Sequence, residues 1–200
     1  MQPDFNKLKS QLEGDLFVDN VQRVLYSTDA SQYKELPLAV TKPKSLADIK
    51  KIIAFARENN TSIIPRGGGT SLAGQVVGSG IVVDISKYWN NILEFNKEEK
   101  YVIVEPGVNL AELNLFLAEH DLQFGPETST ANRCVIGGML GNNSCGLHSI
   151  VYGSVREHIL EVDAILSDGS ETTFKTLSKN EFQQKLNGNP NKLGKAIYEN

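Results

Sequence analysis

The run Arg66-Gly67-Gly68-Gly69-Thr70-Ser71 has the residue types to hold an anion. Glycine lacks Cβ, so successive backbone N–H groups can converge on one anion without steric conflict. Arg66 adds a charge that persists at every relevant pH and can fork across phosphate oxygens. Thr70 and Ser71 add hydroxyl donors, and the set suits a diphosphate. The bland alternative is a plain tight turn, but three consecutive glycines carry an entropic cost that ordinary turns avoid.

Two nucleotide-binding patterns fail on this stretch. Gly69 and Gly74 have the glycine spacing of a P-loop, but Gln75 stands where its lysine belongs and Val76 where its Mg²⁺-binding hydroxyl belongs. A GxGxxG read from Gly67 puts Leu72 at the third glycine position. Asp84 is only a loose match to the acid expected about 20 residues further on.

A second small-residue segment, "IGGMLGNNSCGLHSIVYG" (136–153), reads as another loop. Alone, its Gly137-Gly138 pair would serve equally well to let a helix approach a strand. His120 reads as a helix-end dipole partner, His148 as a solvent or packing residue and His158 as structural. Cys134 and Cys145 form neither a CxxC nor a zinc spacing. They read as inert thiols in a reducing compartment. Trp89 reads as a packing anchor.

These loops need elements to position them. Leu8, Leu12, Leu16 and Val21, Val24, Leu25 predict helical turns in an N-terminal segment, residues 1–36. "LPLAVTKP" (36–43) predicts a strand. Ser45 is a good N-cap for a helix whose apolar face is Leu46, Ile49, Ile52, Ile53 and Ala56, ended by Asn59-Asn60. "TSIIP", "GIVVDIS", "NILEFN" and "KYVIVEPG" read as strands. Asn109 with Glu112 resembles a capping box for a helix that buries Leu110, Leu113, Phe116 and Leu117. "ILEVDAILSDGSETTF" predicts a hairpin with a two-residue Asp168-Gly169 turn. The expected class is α+β. The expected divisions are 37–106 and 107–176, split near Pro106-Gly107, followed by a tail at 177–200 with a further helix.

Hydrophobic residues make up 40% and charged residues 22%, which places the chain among ordinary globular domains. A net charge of −4 argues against a nucleic-acid footprint. The N-terminal stretch lacks a signal peptide's apolar core, and no run approaches the roughly 18 apolar residues of a membrane span. The expected protein is soluble and cytoplasmic, or peripheral at the inner face of the membrane.

The ordered stretches "PRGGGTSLAGQ", "GIVVDIS", "VEPGV", "GPETST…VIGGMLGNNSCG" and "YG…LEVDAILSDG" resemble the FAD-binding domain of the vanillyl-alcohol-oxidase/PCMH flavoprotein superfamily. The resemblance runs from about Tyr26 to about Phe174. Within the superfamily it is strongest to FAD-linked D-2-hydroxyacid dehydrogenases: D-lactate dehydrogenase, the glycolate oxidase flavin subunit and D-2-hydroxyglutarate dehydrogenase. It implies a PCMH-type domain of two α/β subdomains with FAD between them.

Residue by residue, the resemblance implies that Arg66, Gly67, Gly68, Gly69, Thr70 and Ser71 hold the FAD pyrophosphate. Gly74 and Gln75 would border the flavin. Pro126 and Thr128 would lie near the isoalloxazine, although "PETST" has Glu127 for the usual aspartate and Thr128 for a proline. Gly137, Gly138, Asn142, Ser144 and Gly146 would admit the ribityl chain and diphosphate, followed by Tyr152 and Gly153. Val162 would face the adenine. Some members attach FAD covalently, to a histidine at the position of Thr70 or a cysteine near Ala131. Neither side chain here can form that bond, so non-covalent FAD is implied.

The implied reaction is oxidation of a D-2-hydroxy acid to the 2-oxo acid, with a quinone, cytochrome or iron–sulfur domain as electron acceptor. No resident metal is expected. Catalytic groups are expected in a C-terminal cap domain, so the chain reads as an excised FAD domain. Two alternatives are a flavoenzyme like UDP-N-acetylmuramate reductase and a nucleotide-binding module without redox chemistry.

Overall fold

A computed structural model describes residues 3–188 and 196–197. By internal contacts the chain forms two compact units, Met1–His158 and Ile159–Asn200.

The first unit begins with α1 (Phe5–Lys9), whose Asn6 and Lys7 amides donate to the N-cap Asp4 carboxylate. Strand β1 (Asp15–Phe17) and helix α2 (Asn20–Leu25) follow. The N-terminal segment is therefore not wholly helical, because Leu16 lies buried on a strand. The reason is a long-range contact. Gly14 runs so close to the next strand, β2 (Ala39–Lys42), that a Cβ would lie 2.2 Å from the Lys42 carbonyl oxygen. Helix α3 (Leu46–Glu58) starts as expected at Ser45, whose Oγ accepts from the Asp48 amide at 3.2 Å.

Strands β3 (Ile63–Arg66) and β4 (Ile81–Asp84) complete a four-stranded sheet of order β1-β2-β4-β3. β1 is antiparallel to β2, whereas β2, β4 and β3 run parallel. All four residues of β4 are buried. Its apolar run Ile81–Val83 is what a parallel strand covered on both faces requires. Leu8, Leu16, Ile52, Phe55, Ile81 and Val83 form the core beside this sheet.

A buried carboxylate ties the N-terminal segment to α3. Asp48 Oδ1 accepts from the Glu13 amide at 3.0 Å; Oδ2 accepts from the Gly14 and Lys44 amides at 2.9 and 3.0 Å. Burial pushes this carboxyl up, but the three amides outweigh it and hold its pKa below the ordinary aspartate value.

Next come the ribbon of β5 (Ile92–Asn96) and β6 (Tyr101–Val104), and helix α4 (Leu110–Ala118). Asn109 Oδ1 caps α4 by accepting from the Ala111 and Glu112 amides at 2.9 and 3.3 Å. His120, beyond the helix end, stacks on Phe95 with ring centroids 4.5 Å apart. The second small-residue segment is not a simple loop. It forms two short helices, α5 (Ile136–Gly141) and α6 (Ser149–Tyr152), and a 3₁₀ turn at Val155–His158 follows it.

The second unit holds the expected hairpin, β7 (Glu161–Ile165) with β8 (Glu171–Lys175), then α7 (Lys179–Gly188). The turn has three residues rather than two. Leu166 and Ser170 close it, and within it the Gly169 amide donates to the Leu166 carbonyl at 2.8 Å. Gly169 has φ +85°, while Asp168 is not at positive φ. A two-residue type I′ turn needs positive φ at both central residues. The rest of the expected tail lies largely outside the described residues. Among the described residues, no helix is long and apolar enough to cross a membrane.

Candidate functional site: an anion cradle at the end of β3

The connection 67–80 leaves the carboxyl end of β3 and returns to start β4, its parallel neighbour. In open α/β sheets this end is where ligands bind. Among the described residues, the amides of Gly67, Gly68, Gly69 and Thr70 meet no acceptor. Gly69 has φ +64°, a conformation that favours glycine. The loop borders a cavity of about 250 Å³ whose lining includes Thr28, Arg66, Gly68, Thr70, Thr130 and Arg133. Open amides, hydroxyls and two guanidinium groups around one cavity fit a diphosphate.

Arg66 is not a free fork, however. Its Nη1 donates to the Thr28 carbonyl at 2.8 Å and to the Tyr26 carbonyl at 3.4 Å, and its guanidinium lies 5.1 Å from the centre of the Tyr26 ring. Arg66 thus braces the loop while its charge stays at the cavity. Arg133 faces the same cavity, and its exposed guanidinium has no partner among the described residues. Sequence reasoning missed Arg133, because nothing local marks one arginine in a loop as the neighbour of a glycine run 65 positions earlier.

The first glycine run abuts residues 133–135, which lead directly into the second small-residue segment. A Cβ on Gly67 would lie 2.3 Å from Val135 Cγ2, and one on Gly68 would lie 2.2 Å from the Arg133 carbonyl oxygen. Gln75 Nε2 donates to Asn142 Oδ1 at 2.8 Å, and Asn142 Nδ2 donates to the Ser144 Oγ at 3.3 Å. Ser71 Oγ accepts from the Ala73 and Gln75 amides and donates to Gln75 Oε1 at 2.5 Å.

The glycines of the second segment do different jobs. Gly137 is a packing glycine, since its amide donates to the Pro106 carbonyl at 2.8 Å and a Cβ would meet Pro106. Gly138 is exposed, with only Val135 near its Cβ position. Gly146 packs on the Glu127 carbonyl, which brings the Pro126–Thr128 run against this segment, and Tyr152 packs on Gly125. Pro126 is buried. Gly74 and Gly153 both adopt φ +71°. Val162 lies in the second unit, on β7 opposite Phe174.

Other candidates take structural roles. The Asp84 carboxylate accepts from the Tyr26 hydroxyl at 2.5 Å and from the Ser86 amide and hydroxyl, so it is not free for a ribose. Burial and the Asp84 carboxylate push the Tyr26 hydroxyl far above its usual pKa. Cys134 is buried with its Sγ 3.3 Å from Thr128 Oγ1; Cys145 is exposed. His148 Nδ1 lies 2.7 Å from Glu127 Oε1, and His158 Nε2 lies 2.6 Å from the Tyr152 carbonyl. Trp89 anchors by donating to the Pro43 carbonyl at 2.9 Å. No metal-holding cluster occurs among the described residues.

Residues 37–175 match the FAD binding domain family. The chain belongs to that family. This FAD-binding domain is 43% identical over 159 residues to a D-2-hydroxyglutarate dehydrogenase of Escherichia coli, covering 78% of this chain and 16% of that protein. It is 33% identical over 152 residues to the glycolate oxidase subunit GlcD of Bacillus subtilis, covering 75% of this chain and 32% of that protein. To the mitochondrial D-lactate dehydrogenase [cytochrome] 1 of Saccharomyces cerevisiae it is 29% identical, covering 92% and 32%. The chain therefore spans a third or less of these relatives. An alkyldihydroxyacetonephosphate synthase superposes with a TM-score of 0.74 at 21% identity, covering 88% of this chain and 38% of that one. The 6-hydroxy-D-nicotine oxidase of Arthrobacter nicotinovorans does so with 0.74 at 19%, covering 86% and 38%. The FAD-binding domain shares their α+β fold.

Proposed function

We propose that this chain is the FAD-holding part of an oxidoreductase that converts a D-2-hydroxy acid to its 2-oxo acid. The observation that carries this is the row of open amides from Gly67 to Thr70, set beside Arg66 and Arg133 on one cavity. The open amides and Arg133 would bind the diphosphate, with Arg66 bracing the loop. Gln75, Asn142 and Ser144, already linked by hydrogen bonds, would line the path of the rest of the cofactor. Bound FAD would supply the hydride acceptor, while the protein binds and orients it.

The names of the relatives support lactate, glycolate or 2-hydroxyglutarate as the substrate class. The hydroxy acid's carboxylate needs a cation and its hydroxyl a base, which further chain would supply. The electron acceptor is a quinone, a cytochrome or an iron–sulfur domain, and the protein works in the cytoplasm or peripherally at the membrane's inner face. The two FAD-holding lobes meet near Pro106-Gly107, and Val162 serves the adenine. Attachment is non-covalent, which the shielding of Cys134 supports. Titration with FAD tests this: saturable flavin fluorescence quenching, a rise in melting temperature and release of all flavin on acid precipitation are expected. Absence of any FAD-dependent stabilisation would overturn it.

A further inference from the structure

The turn at 26–33 precedes the matched residues 37–175, yet it holds the glycine connection at several points. The Ala30 amide donates to the Gly69 carbonyl at 3.2 Å. The Thr28 carbonyl accepts from Arg66 at 2.8 Å. The Tyr33 ring fills the space beside Gly74, where a Cβ would lie 2.7 Å from Cδ2. Asp29, which also lines the cavity, is the least satisfied member of the turn. Its Oδ1 accepts from the Ser31 amide at 2.8 Å, but its Oδ2 is sealed from solvent and completes no hydrogen bond.

Burial pushes the Asp29 carboxyl up; the Ser31 hydroxyl and amide, the Ser71 hydroxyl and the Val76 amide outweigh that and hold it below the ordinary value. Ser71 and Val76 both belong to the glycine connection. Here the Ser71 hydroxyl donates instead to Gln75 Oε1 at 2.5 Å. A buried carboxylate oxygen left unpaired is costly, so it favours any movement that seats a donor on it. Asp29 is not itself a phosphate ligand, because its charge has the wrong sign and its Oδ2 is closed off.

We propose that Asp29 is a positioning residue that latches the connection 71–76 inward through Ser71 and Val76, fixing the shape of the cradle formed by Gly67–Thr70. Its effect on the cofactor rests on reading that cradle as the FAD diphosphate site. Asp29→Asn keeps the shape but removes the charge and one acceptor. Hydrogen exchange of the 71–77 amides and FAD affinity should be measured on the whole chain.

D29N should speed exchange across 71–77 and weaken FAD about tenfold, while the melting temperature without FAD stays within about 2 °C. Unchanged exchange in D29N overturns the latch. So does loosening spread over the whole first unit with a matching fall in melting temperature, because that marks a merely structural role. If the wild-type chain takes up no FAD, the cofactor reading has failed separately, and the exchange data still decide the latch. Should D29N not fold, Ser71→Ala carries the test at the Val76 amide, because the Ala73 and Gln75 amides lose the Ser71 hydroxyl in any case: faster exchange at Val76 supports the latch, and no change there overturns it.

Discussion

Replacing Gly68 by alanine tests the junction on which the site depends. A Cβ built there would lie 2.2 Å from the Arg133 carbonyl oxygen and 3.0 Å from its carbonyl carbon. A comfortable carbon–oxygen contact is about 3.3 Å or more, so the two segments must part by about 1 Å. The obstacle is backbone and cannot rotate away. Overpacking costs about 1–3 kcal/mol, and a rigid partner places this case near the top. At about 2–4 °C per kcal/mol for a chain of this size, G68A should lower the melting temperature by about 6–12 °C. Parting the segments also moves the Gly68 amide and Arg133, so FAD binding should weaken at least tenfold, about 1.4 kcal/mol or more.

Gly141→Ala is the matched control, since a Cβ there meets nothing within 4 Å. It should leave stability unchanged or raise it by up to about 1 kcal/mol. Thermal unfolding by circular dichroism and FAD titration read both variants. A G68A chain melting within about 1 °C of the parent with undiminished FAD affinity would refute the direct abutment of Gly68 on Arg133. Gly68→Val meets the same carbonyl and destabilises further.

Arg133→Ala should weaken FAD about tenfold or more while leaving the melting temperature without FAD within about 2 °C, because its guanidinium has no protein partner among the described residues. Arg66→Ala should lower both, because it also loses the Tyr26 and Thr28 carbonyls; the reverse ranking in the same titrations would exchange the two roles. Asp48→Asn should cost about 2–4 kcal/mol in urea unfolding, as one of three amide donors loses its acceptor. The folded pKa of Asp48 is depressed, so its contribution is complete above the unfolded value, about pH 4, and disappears as pH falls through the folded value. The stability gap between wild type and D48N should therefore close on acidification below about pH 4, and a constant gap down to about pH 2 would contradict this. Gly169→Ala meets no atom but is held at φ +85°, so it should cost about 1 kcal/mol of stability by strain alone, measured by differential unfolding.

What the sequence reveals is what depends on neighbours along the chain. Ser45 and Asn109 cap helices where their spacing predicts, and the β-branched run in "GIVVDIS" forms the expected strand, while its burial and parallel pairing are set by the neighbouring strands. Leu16 shows the limit: its spacing from Leu8 and Leu12 is helical, yet β1 exists because β2 lies beside it. In the site, three consecutive glycines legibly mark the stretch whose amides stay open beside the cavity. Their partition is not legible, because Gly67 and Gly68 pack on Val135 and Arg133, and Gly137 on Pro106. The bracing contacts of Arg66 and the place of Arg133 on the cavity escape sequence for the same reason. Charge and residue type are local, whereas the carbonyls of Tyr26 and Thr28 that engage Arg66 arrive from 40 and 38 positions away.

Among the described residues β3 has one strand neighbour, β4, and Pro65 stands in it. The Arg66 carbonyl bonds inward to the Ile85 amide, so the alternate residue Pro65 turns its nitrogen to the open margin. A proline nitrogen carries no hydrogen there, and a foreign strand seeking to dock finds the donor row broken. Pro65, two residues before Gly67, thus also blunts this edge against strand pairing: Pro65→Val would restore the missing donor and invite chains to stack edge to edge.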